Sequence, residues 1–153
     1  MPKTEIAPLR TFSTTGRVRR LGMRERLSTV GHQEVLVRAP GSFILVGGSV
    51  EVDAPPFGDG PARLWADERC VCIGTLSEVD GHTRVIVGSN VDHSNLALAF
   101  SGEIATPARR LVVSDAELNT LIEVAVPAHL TNLSVWTNDA REPTMIAIDV
   151  TGR

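Results

Sequence analysis

From residue 34 onward the chain is a succession of short apolar runs, each closed by residues that favour turns. Nine such runs stand out: Glu34–Val37, Phe43–Val52, Arg69–Glu78, His82–Val87, Leu96–Phe100, Arg109–Val113, Leu121–Val126, Asn132–Thr137 and Thr144–Val150. Gly, Pro, Asn and Asp bound most of them. Runs of this length do not support packed helices, but they match half-buried strands. The pattern therefore predicts an all-β fold, an antiparallel β-sandwich of eight or nine strands, with jelly-roll and immunoglobulin-like arrangements as alternatives. Alternation is clearest near the C-terminus. Leu133 and Val135 take one face and Ser134 and Trp136 the other, while Ile146, Ile148 and Val150 share a face.

Local turn chemistry adds detail. Asp80-Gly81, between Arg69–Glu78 and His82–Val87, is a dipeptide suited to a two-residue turn, and it predicts a β-hairpin. Gly47-Gly48 predicts a bend or bulge within a long strand over Phe43–Val52. Ser114, three residues before Glu117, has the form of a capping box and predicts one helical turn over Ser114–Asn119. The segment 54–60, with two prolines and two glycines, predicts a surface loop. Aromatic residues make up only 4% of the chain, with no Tyr, so the core must be built from Val, Ile, Leu and Ala.

Charge divides the chain in two. Residues 1–40 carry eight Lys and Arg against three Asp and Glu, a net of plus five; residues 41–153 carry seven Arg against fifteen Asp and Glu, a net of minus eight. Residues 1–33 lack sustained periodicity and read as a basic N-terminal arm, in part without fixed structure, and 34–153 as a single β-sandwich domain. Arg17, Arg19, Arg20, Arg24 and Arg26 offer a phosphate-binding run, but no aromatic side chain lies among them to stack on bases. Contact with nucleic acid is thus expected only through the arm, and pairing with acidic surface is the other reading. No run is apolar and long enough for a secretory signal or a membrane span, so a cytoplasmic protein with no membrane partner is expected.

Searching for chemistry yields little. There is no nucleophile elbow, Gly-rich phosphate loop, H-E-x-x-H or EF-hand sequence. Carried outward, the expected hairpin register would place His93 on the face of Cys70 and Cys72. The C-x-C spacing departs from the C-x-x-C of structural zinc, and buried, reduced thiols are the simpler expectation. His32, His82 and His129 have no apparent orienting partner. No catalytic residue, cofactor or metal is assigned, and the chain is read as non-enzymatic.

The informative cluster is acidic. Between residues 51 and 80, seven carboxylates face only Arg63 and Arg69. Asp53, Asp59, Asp67 and Glu68 around Trp65 have the make-up of a partner-binding site, an aromatic anchor in a negative rim. The plain alternative is a solvated acidic face with Trp65 covering an end of the sandwich.

From Ser49 onward the order of elements resembles the competence protein J family, inhibitors of a DNA-entry nuclease, and related bacterial immunity proteins. The resemblance is carried by Val126-Pro127-Ala128, by Leu133-Ser134-Val135-Trp136-Thr137, and by the closing Met145-Ile146-Ala147-Ile148-Asp149-Val150. It implies a β-sandwich that inhibits by binding. The expectation is therefore an inhibitor or immunity-type protein that occludes a basic nuclease or toxin with its acidic loops. The alternative is a self-assembling sandwich subunit, of a shell or phage, whose basic arm contacts a neighbour's acidic body in a homo-oligomer.

Overall fold

β-branched and leucine side chains on alternating positions drive ten strands into two facing sheets. The computed structural model describes residues 31–58 and 62–151. Its strands are β1 (Gln33–Val37), β2 (Phe43–Gly47), β3 (Leu64–Ala66), β4 (Cys70–Gly74), β5 (Thr83–Gly88), β6 (Ala97–Ala105), β7 (Arg110–Asp115), β8 (Thr120–Ala125), β9 (Leu130–Thr137) and β10 (Met145–Thr151). One sheet has the order β1-β5-β10-β9-β6 and the other β3-β4-β2-β7-β8. Every pairing is antiparallel except β5 with β10, which is parallel. The fold is the expected β-sandwich, with ten strands where eight or nine were expected. The addition is the three-residue β3, too short to show periodicity. The basic residues 1–30 lie outside the described residues.

The core is aliphatic, as composition required. Val71 and Ile73 of β4, Leu111 and Val113 of β7, Leu133 and Val135 of β9, and Ile146, Ile148 and Val150 of β10 meet between the sheets. The alternation read from β9 and β10 is thus the one observed. Two polar crossings close the sides of the sandwich. Gln33 Nε2 donates to the Glu123 carbonyl at 2.9 Å where β1 meets β8. At the opposite side the Ala105 amide at the end of β6 donates to the Glu68 carbonyl in the β3–β4 turn at 2.8 Å.

Three local expectations are corrected. Asp80-Gly81 does not close a hairpin: β4 and β5 belong to different sheets, and the segment between them carries the chain across the sandwich. Both hydrogen-bonding edges of β4 are taken by β2 and β3, and those of β5 by β1 and β10, so neither has an edge for the other. The turn that does form has the Asp80 amide on the Ser77 carbonyl at 2.8 Å, with Val79 83% exposed at its tip. Second, β2 stops at Gly47 instead of running to Val52. A Cβ at Gly47 would lie 2.9 Å from Val52 Cγ1 and 3.0 Å from the Arg69 carbonyl, so only glycine lets the following loop fold back against the sheet. Third, Ser114–Asn119 forms no helical turn: Ser114 and Asp115 end β7, and 116–119 make the β7–β8 connection. The organiser is Asp115, whose Oδ1 accepts the Glu117 and Asn119 amides at 2.9 and 3.0 Å, with Leu118 at φ +65°. An Asp side chain holding amides two and four residues on competes directly with a helical start.

Because Ile148 is fully buried between the sheets, Ile148→Ala should lower the free energy of unfolding in urea by about 2–5 kcal/mol. Ser134→Ala, on the outward side of β9, should change it by less than about 0.5 kcal/mol.

Candidate protein-binding face

The outward side of β2, β4 and β3 is unusual for a solvent-facing sheet because it is apolar. Cys72 stands in register between Leu45 and Trp65, and Cys70 stands beside Gly47. These side chains form a second, smaller cluster, with Phe43 and Val52 packed on it. Left bare, such a patch would be costly, and the loop 48–58 folds over it. Val52 fits against the flat surface left by Gly47. Phe57 stacks on Trp65 at a centroid distance of 4.6 Å and an interplanar angle of 14°, and Phe43 meets Phe57 at 83° and 5.7 Å. Trp65 Nε1 donates to the Gly58 carbonyl at 3.1 Å, which ties the loop to the strand.

Burial governs the thiols beneath. Cys70 and Cys72 are fully buried and free. Desolvation, reinforced by the nearby Asp67 charge, pushes the Cys70 pKa up to about 12. Cys72 is pushed up to about 12 as well, by desolvation and by Cys70, with Arg63 opposing. Both are neutral packing groups at physiological pH. His93 does not join them: it stacks on Trp136 of β9, on the other sheet, at 3.8 Å and 4°. The hairpin register that would have brought it to the cysteines does not exist. Among the described residues, no three His, Cys, Asp or Glu side chains are grouped to hold a metal ion.

Acidic residues adjoin members of this patch along the chain. Trp65 lies in β3, not in a loop, and Asp67 and Glu68 follow in the β3–β4 turn. Asp67 Oδ1 accepts the Arg69 and Cys70 amides at 2.8 and 2.9 Å, so its carboxylate builds the turn as well as charging it. Glu68 is exposed, and its carbonyl accepts the Ala105 amide. Asp53 and Glu51 are exposed on either side of Val52. A shallow cleft of about 350 Å³ separates this loop and Arg69 from the β6–β7 connection at Ala105–Ala108. Asp53 thus follows Val52 of the cluster, and Asp67 and Glu68 lie in the turn just past Trp65 and Ala66; Asp59 lies outside the described residues. Phe57, Phe43 and Glu51 were not singled out from sequence. The available signal for Phe57 was an aromatic residue directly after Pro55-Pro56 in a turn-forming segment.

A larger cleft of about 540 Å³ opens between the β3 and β6 edges. Polar groups on its wall are engaged in structure. Arg63 donates to the Ser42, Thr75 and Arg141 carbonyls. Asn138 Oδ1 accepts the Thr144 and Met145 amides. Asp139 Oδ2 accepts the Glu142 and Arg141 amides, which hold its carboxyl below the usual range. These residues fasten the β9–β10 loop, and no nucleophile–base pair lines the cleft among the described residues.

The raised thiol pKa values set two outcomes. From 9.0 to about 12 the thiolate fraction near neutral pH falls by about a thousandfold, so both cysteines should resist Ellman's reagent in native protein and react fully in urea. Unfolding lets these thiols ionise near their ordinary pKa. Their contribution to stability is therefore complete below about pH 9 and is lost as the pH rises towards about 12.

No protein-family model matches the chain, and no curated protein matches its sequence. Among solved structures, the fold matches that of ComJ from Bacillus subtilis, described as the inhibitor of the DNA degrading activity of NucA. The TM-score is 0.53 at 12% sequence identity, over 82% of this chain and 97% of ComJ. At this identity the likeness establishes the shared β-sandwich fold.

Proposed function

We propose that the chain is a non-enzymatic, cytoplasmic binding protein of the inhibitor or immunity type, which occludes a basic nuclease or toxin with the acidic face around Trp65. The single observation that carries this reading is the fold shared with ComJ, an inhibitor of a DNA-degrading nuclease. The face described above supports it. Glu51 and Asp53 are exposed beside Val52, Asp67 and Glu68 are exposed in the turn after β3, and negative charge near an aromatic stack complements a cleft built to hold DNA phosphates. Asp59 belongs to the same rim in sequence. Binding through such a rim requires no reacting group: the carboxylates steer encounter, the aromatic stack supplies buried area, and the nuclease cleft is blocked.

NucA serves as the first probe. A stoichiometric excess of the chain should suppress plasmid degradation by NucA, and degradation at the full rate would overturn the nuclease-inhibitor reading. The triple variant D53K/D59K/E68K leaves the turn-building Asp67 in place. It should lower the association rate by about tenfold or more at low salt and flatten its salt dependence, with a smaller effect on dissociation. An unchanged association rate would eliminate electrostatic docking through this rim.

A further inference from the structure

We infer that the Phe57–Trp65 stack is a seat for an arginine side chain of the partner, an inference that rests on the inhibitor reading above and names the chemistry of its central contact. Phe57 is 56% exposed although it is stacked on Trp65 and flanked by Phe43. Covering the cysteines does not need so much ring left in water, because Val52 and Trp65 already pack on them. The stack is held in place: Trp65 is fixed in β3 by pairing with Cys72 and by its hydrogen bond to Gly58. A ring platform that is fixed before binding loses little freedom when a ligand settles on it.

Charge selects the ligand. Glu51 and Asp53 flank Val52 of the underlying cluster, and Asp67 and Glu68 come just after Trp65 and Ala66 in the β3–β4 turn. Two arginines lie close by. The guanidinium of Arg63 is committed to three backbone carbonyls, which among the described residues leaves Arg69 as the cation beside the four carboxylates in sequence. An aromatic face with carboxylates nearby along the chain favours a cation, and guanidinium is the cation that stacks flat on a ring while donating to carboxylates at its edge. A neutral apolar side chain would fill the ring face but leave the rim unpaired, whereas an acidic one would be repelled.

The test uses the full chain and short peptides, followed by the indole resonances of Trp65 and Trp136 in NMR titrations. A capped Gly-Arg-Gly peptide should shift the Trp65 indole signal, and its citrulline counterpart, the same shape without charge, should bind at least about fivefold more weakly. Phe57→Leu, which keeps apolar cover over Trp65, should weaken the arginine peptide about fivefold while the amide spectrum stays that of a folded sandwich. Equal binding of both peptides, a shift confined to Trp136, no shift at all, or full binding by Phe57→Leu would each overturn the arginine seat. The same variant separates this inference from the function it rests on. If the chain inhibits the nuclease and Phe57→Leu dissociates no faster, the seat is wrong and the inhibitor reading stands. If the chain does not inhibit, that reading falls and the peptide titration alone decides the seat.

Discussion

The packing of two aliphatic sheet faces is what the remaining features depend on. Val, Ile and Leu from β4, β7, β9 and β10 fill the space between the sheets, and neither tryptophan is part of that main core. Small branched side chains on a two-residue period interdigitate without large rings, so the fold needs no aromatic to fill it. Phe100 packs against the main core, and the other described aromatics are available outside it. Phe43, Phe57 and Trp65 gather over one sheet, and Trp136 pairs with His93 over the other.

That distribution links packing to function. The β2–β4–β3 surface carries Leu45, Cys70 and Cys72 outward, and such a surface must be covered. The cover is the 48–58 loop, which can lie flat because Gly47 has no side chain to meet Val52. A loop held down by apolar contacts and one tryptophan hydrogen bond brings its acidic residues to a defined place beside the acidic β3–β4 turn. The same interactions that protect two buried thiols therefore assemble the negative rim and the aromatic stack. Rigid support beneath an exposed face is the arrangement expected of a surface that binds with little reorganisation.

What could be read from the residues was the information carried over short distances along the chain. Alternation in Leu133–Trp136 and Ile146–Val150 gave the correct inward faces because strand period is local. The sandwich itself followed from the number and length of the runs. Asp80-Gly81 misled because a turn dipeptide reports backbone preference and not which edges are free; β2, β3, β1 and β10 had already claimed them. The parallel β5–β10 pair joins segments about sixty residues apart and leaves no local trace. Asp115 displaced Ser114 as organiser of its turn because its two oxygens satisfy two amides and the Asn119 side chain together. For the candidate site, the carboxylates and Trp65 were legible as composition. Phe57 was not, since its importance comes from a stacking contact that only the folded loop creates.

Amide hydrogen exchange of the chain, free and in the presence of saturating NucA, tests the central claim most directly. The account predicts that binding slows exchange in the 48–58 loop and in the β3–β4 turn at 66–70, and leaves the outward side of β1, β5 and β10 unchanged. Protection confined to that opposite sheet or to the β6 edge, with the 48–58 loop exchanging as in the free protein, would contradict it.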